Sequence, residues 1–195
     1  MKIIFATGNK GKLREAAEIL GEGFELLSPA DMGITEDIEE TGETLKDNSI
    51  IKAEYIHART GMDCFADDTG LEVDALGGAP GVHSARYATE GHDFEANIDK
   101  LLAELDKLPG EPRTARFRSV ITLIFRGERY FFEGTLEGVI APERRGANGF
   151  GYDPIFIPDS HPGVTVGELD DDTKNSISHR GKALRAMADW LLANV

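Results

Sequence analysis

One cysteine, Cys64, occurs in 195 residues, so no internal disulfide can form. No apolar run approaches the length of a membrane span, and the N-terminus lacks the pattern of a secretory leader. These absences point to a cytoplasmic protein with no membrane partner. Basic residues are also few: 21 Lys and Arg stand against 35 Asp and Glu, for a net charge of −14. A chain of that charge does not hold nucleic acid by general attraction to phosphate. It can bind a small anion where cations are gathered locally or arrive as a metal ion. The positions of the lysines and arginines therefore carry information. The length suits a single domain, residues 1–195, with two lobes at most and a substantial core. Cys64 lies in an apolar run and reads as core packing.

Lys2-Ile3-Ile4-Phe5-Ala6 is short and apolar, the pattern of a buried strand. Thr7-Gly8-Asn9-Lys10-Gly11-Lys12 follows at once, and then Leu13, Ala16, Ala17 and Leu20 recur at helical spacing until Gly21 and Gly23. Strand, glycine-bearing turn and helix is the layout that points backbone N–H groups and the positive helix end at an anion. Thr7 and Asn9 offer side-chain hydrogen bonds; Lys10 and Lys12 offer charge. It is not a Walker P-loop, because Leu13 stands where that motif needs Ser or Thr. A plain turn with solvated lysines has the same composition.

Phe65-Ala66-Asp67-Asp68-Thr69-Gly70-Leu71-Glu72-Val73 places two adjacent carboxylates between apolar runs, where a strand is expected to end and the chain to turn. Neighbouring carboxylates repel, more so when buried. Such a pair is stabilised by a cation, and hard divalent ions prefer carboxylate oxygen. An acidic turn facing water would use the same residues. Before it, Glu25-Leu26-Leu27 reads as a strand, residues 35–43 as an acidic loop and 44–58 as a helix. Glu39 or Glu40 could reach inward as a metal ligand.

Beyond it, the glycines and proline of residues 76–87 predict a long irregular loop ending near Arg86. Phe94, Ile98, Leu101, Leu102 and Leu105 form a helical core stripe. Residues 115–125 and 130–141 are β-rich, and Gly127-Glu128 suits a tight hairpin turn with glycine first. The sheet is therefore mixed, not a simple parallel one. Within Gly149-Phe150-Gly151-Tyr152-Asp153-Pro154 the glycines admit a close ligand, and the Phe150 ring could stack on a base or plug the core. Asp153 could fix the turn or meet a sugar hydroxyl. Residues 168–172 read as a solvated acid run. Lys174, His179 and Arg180 then lead into a closing helix with the stripe Leu184, Met187, Ala188 and Leu191. Cationic donors favour a 6-oxo purine, whose O6 accepts, over adenine, whose amino group donates.

Taken together, Thr7-Gly8-Asn9 with Lys12, Ala66 to Leu71, Gly77 to Gly81 with Ser84 to Tyr87, Gly149 to Pro154, and Ser178-His179-Arg180 resemble the inosine triphosphate pyrophosphatase family over the whole chain. The resemblance implies an α/β fold with an elongated mixed β-sheet, flanking helices and two lobes around a central nucleotide cleft. It implies Mg²⁺-dependent hydrolysis of ITP, dITP and XTP to the monophosphate and pyrophosphate by a homodimer. By motif, Thr7, Gly8, Asn9, Lys10, Gly11 and Lys12 would hold the phosphates, with Thr69 beside them. Asp68 would be the proton acceptor and a metal ligand, with Glu40 preferred to Glu39 as the second. Lys12 would steady the leaving pyrophosphate. Phe150, Gly151, Tyr152, Asp153, Lys174, His179 and Arg180 would hold base and sugar. Thr69 stands where many members carry Ser and keeps the hydroxyl. A sister pyrophosphatase for other modified nucleotides, or a nucleotide-binding regulator without turnover, are the alternatives.

Overall fold

The computed structural model describes residues 1–195. Its frame is a six-stranded mixed sheet in the order β2-β1-β3-β4-β5-β6. The strands are β1 (Lys2–Phe5), β2 (Glu25–Leu27), β3 (Cys64–Val73), β4 (Thr114–Phe125), β5 (Glu128–Ile140) and β6 (Phe156–Pro158). β1 runs parallel to both β2 and β3, while β5 and β6 are antiparallel. The helices are α1 (Lys10–Leu20), α2 (Leu45–Thr60), α3 (Phe94–Asp106), α4 (Asp171–Ile177) and α5 (His179–Asn194). The chain divides into two compact units. One comprises Met1–Asp68, Ser119–Gly134 and His179–Val195; the other comprises Thr69–Arg118 and Thr135–Ser178.

In the first unit the strands are apolar on both faces, so successive side chains enter two different cores. Ile3, Phe5 and Phe65 pack with Ala16 and Leu20 of α1 and with Ala183, Leu184, Met187 and Leu191 of α5. Ile4, Ala6, Cys64 and Ala66 pack on the other side with Ala53 and Ile56 of α2. Thr44 and Asp47 close a capping box at the start of α2. The second unit has its own core, in which Leu71, Ile98, Leu101, Phe117, Ile155 and Phe156 are buried.

Four expectations from sequence are corrected. No turn follows Asp67-Asp68; β3 runs straight through both carboxylates to Val73. The hairpin between β4 and β5 turns on Arg126-Gly127, one residue early, and both have positive φ, 52° and 83°, as the preferred two-residue turn requires. Residues 81–86 form a short 3-10 helix where an irregular loop was expected. The acids of the run at 168–172 are exposed, as expected, and the run also starts a helix: Asp170 accepts from Thr173 N at 2.7 Å and caps α4. Phe94 also departs from its stripe, being 39% exposed.

Candidate active site

The alternation of β3 decides what its two carboxylates can do. Phe65 and Asp67 project toward α1 and α5, whereas Ala66 and Asp68 project toward α2. The adjacent acids therefore lie on opposite faces of the sheet and meet different partners.

On the first face, Asp67 is 1% exposed and accepts from Lys12 Nζ at 2.9 and 3.1 Å. Arg180 Nε donates to the same carboxylate at 3.3 Å, and Arg180 Nη1 donates to Glu15 of α1 at 2.7 Å. Burial opposes the charge of Asp67, but Lys12, Arg180 and Lys52 outweigh it and hold its carboxyl well below the usual carboxylate range. Asp67 is thus a neutralised structural anion, and Arg180, itself buried, ties α5 to α1 and β3.

On the second face, burial is the main reason that the Asp68 carboxyl is pushed up to about 6; Glu40 and Asp67 push the same way, against Lys52 and an Asn48 hydrogen bond. Asn48 does a second task. Its Oδ1 accepts from Gly42 N at 2.7 Å, so its amide N–H remains for Asp68 and links that residue to the loop carrying Glu40. A Cβ at position 42 would lie 2.6 Å from Asn48 Oδ1, which is why glycine stands there. Lys52, also on α2, donates to the Asp67 main-chain oxygen at 2.5 Å and stands 3.3 Å from Glu40 Oε1 and 4.0 Å from Asp68 Oδ1. Burial disfavours its charge, yet the three carboxylates prevail and its pKa rises. Glu40, not Glu39, is the acid in this group.

Glu40 and Asp68 offer hard oxygen donors on either side of the Lys52 ammonium. No group of three or more His, Cys, Asp or Glu gathers to form a complete protein cage. That donor set fits Mg²⁺, which keeps several waters and commonly takes one or two carboxylates together with substrate phosphates.

The turn before α1 is ordered by its own side chains. Thr7 Oγ1 accepts from Asn9 N at 3.1 Å, and Asn9 Oδ1 accepts from Gly11 N and Lys12 N at 2.9 and 3.1 Å. Gly8, Asn9, Lys10 and Gly11 are exposed, while Lys12 is turned onto Asp67.

In the second unit, Phe150 is 56% exposed and does not plug the core. Asp153 fixes its turn by accepting from Phe150 N at 3.0 Å and from Lys174 Nζ at 2.7 Å. The Lys174 ammonium lies 4.5 Å from the centre of the Phe150 ring, and the Phe94 ring is tilted against it at 6.4 Å between centres. Tyr152 is buried with its hydroxyl donating to Ser84 O at 2.7 Å, so it supports the loop from below. Gly151 follows Phe150 with φ 60°, and Thr69 is half-buried next to Asp68. His179 and Arg180 begin α5 in the first unit, whereas Phe150, Asp153 and Lys174 belong to the second.

Sequence reasoning missed Asn48, Lys52 and Glu15. A signal existed for the first two: Asn48, Lys52 and Ile56 recur every fourth residue on the buried stripe of α2, where a polar residue needs a reason. Glu15 has no comparable mark.

Residues 3–190 match the Ham1 family. A protein from Porphyromonas gingivalis named dITP/XTP pyrophosphatase is 52% identical over 191 residues, covering 98% of this chain and 97% of its own. A Bacillus subtilis protein of the same name is 49% identical over 192 residues, with 97% and 96% covered. The solved structure of a HAM1 protein from Coxiella burnetii superposes with a TM-score of 0.94 at 41% identity over 99% of both chains. The resemblance drawn from the motifs is borne out, and the chain belongs to the Ham1 family.

Proposed function

We propose that the protein hydrolyses non-standard purine nucleoside triphosphates, dITP, XTP and ITP, to the monophosphate and pyrophosphate. The observation that carries this reading is Asp68: a half-buried carboxylate, placed by Asn48 among Lys52 and Glu40, whose pKa is pushed up to about 6. A general base is most effective when its pKa lies near working pH. The names of the relatives supply the substrate class.

Asp68 accepts a proton from the attacking water. The water oxygen bonds to the α-phosphorus, the bond from that phosphorus to the bridging oxygen breaks, and pyrophosphate leaves with the electron pair. Lys12 and the N–H groups at the start of α1 hold the phosphates. Asp67 keeps Lys12 in place and, already neutralised, does not add its charge to the anion's. Asp68 and Glu40 would hold Mg²⁺, which would polarise phosphoryl oxygen and offset the roughly four negative charges of the triphosphate. The exposed Phe150 ring stacks on the base. Lys174, held beside that ring by Asp153, is the cationic donor that suits a 6-oxo purine. Arg180 is engaged with Asp67 and Glu15, so its part in base discrimination is indirect.

Family membership adds the expectation of a homodimer acting in the cytoplasm, which light scattering and fractionation check. The decisive experiment is a panel of triphosphates with both products identified. Monophosphate with pyrophosphate from ITP and XTP, and little from ATP, is the expected result. Diphosphate with phosphate would overturn the site of cleavage, and binding without products would favour a regulator.

A further inference from the structure

Lys52 is 9% exposed on the buried stripe of α2. A buried ammonium is costly unless oxygens surround it, and here it has the Asp67 main-chain oxygen at 2.5 Å, Glu40 Oε1 at 3.3 Å and Asp68 Oδ1 at 4.0 Å. The last two belong to the carboxylates that would hold Mg²⁺, and the role given to Lys52 rests on that reading of the site. Both acids already share a cation. The local charge is also close to balanced: Lys12, Lys52 and Arg180 face Glu15, Glu40, Asp67 and Asp68. A divalent ion added alone would leave this group net positive, with an ammonium a few ångströms away. The same ion accompanied by a triphosphate would not.

We propose that Lys52 is an internal counter-cation: it holds the place between Glu40 and Asp68 in the nucleotide-free protein, so that a divalent ion binds there tightly only together with a triphosphate. The lysine has two consequences. It keeps both acids ordered without metal, and it makes metal and nucleotide affinities depend on each other, since coupling between two ligands is reciprocal.

The test uses Mn²⁺ as probe, its bound fraction read by electron paramagnetic resonance. Wild-type protein is titrated alone and with an α,β-imido analogue of ITP, after correction for chelation by the analogue itself. Binding at least tenfold tighter with the analogue is expected; equal affinity in the two states overturns the proposal without any variant. Lys52→Met, which keeps the buried stem, and Lys52→Gln should bind Mn²⁺ alone at least tenfold more tightly than wild type. Their melting temperatures should also rise more on adding it. Variants that bind no more tightly than wild type overturn the counter-cation role. The gain should vanish when Glu40→Gln is added to Lys52→Met; a gain that persists places the ion elsewhere and also overturns the proposal. If no form retains Mn²⁺ beyond what the analogue chelates, the metal assignment itself fails and the proposal with it.

Discussion

Replacing Asp68 with Asn should make the protein more stable while removing its activity. Burial pushes the Asp68 carboxyl from 3.8 up to about 6. At about 1.36 kcal/mol per pH unit, keeping this carboxylate ionised costs the fold about 3 kcal/mol. The sign follows from the direction. A folded pKa above the unfolded one means that the native state binds the proton more tightly. The protonated group therefore carries no penalty below about pH 4, the penalty grows as pH rises toward 6, and it is fully present above that. Asn approximates the shape of the protonated acid and keeps a partner for Asn48. In a chelator at pH 8, Asp68→Asn should melt about 8 °C higher, at about 2–4 °C per kcal/mol for a chain of this size. At pH 4 the difference should close. Turnover should fall by about 10²–10⁴-fold for loss of a general base, and the wild-type rise of kcat/KM with pH should level off above about 6. Calorimetry across pH together with the pyrophosphate assay tests both halves. A variant that is less stable than wild type at pH 8, or one that turns over at a near-normal rate, would refute the reasoning.

Phe150→Ala should raise KM by about 5–150-fold, matching about 1–3 kcal/mol for one base stack, with unchanged melting because the ring is 56% exposed; steady-state kinetics and a thermal scan decide this. Arg180→Ala should destabilise by about 3 kcal/mol in urea unfolding, since it leaves buried Asp67 and half-buried Glu15 with one cation fewer. Stability equal to wild type would remove that structural role. The Cys64 thiol, pushed up to about 12 by burial and donating to Ala53 O at 3.2 Å, should react with a disulfide reagent only after unfolding. Rapid labelling of native protein would contradict its place in the core.

Much of the frame was legible because it is written locally. The apolar run of β1, the glycine-bearing turn and the spacing of α1 lie within 20 residues. The capping box of α2 spans four positions. The continuation of β3 was not legible. Two aspartates argue for a turn by propensity, and what keeps them in a strand comes from residues 12, 48, 52 and 180. Tertiary neutralisation overrides a local preference, and no window along the chain contains it. The hairpin register failed for a smaller reason: glycine can take either central position, depending on the turn type, and Arg126 accepts a positive φ that composition alone does not announce. Phe150 was open between stacking and packing until its exposure was known, because only the fold determines whether neighbours cover a ring.

The acid pair shows how an anionic protein can take an anionic ligand. Both carboxylates were expected to repel each other and to demand one metal between them. The period of a strand removes most of that conflict, since residues 67 and 68 point to opposite faces and each acquires its own surroundings. Asp67, with Lys12 and Arg180 against it, keeps its charge at low cost and anchors Lys12. Asp68, with less compensation, sits at the edge of ionisation and is able to receive a proton. Shifting the register of β3 by one residue would send each acid to the other face and give Asp68 the cations that now hold Asp67. The adjacency that looked like a single acidic site is therefore a division of labour, imposed by the pleat and set by which helix each face meets.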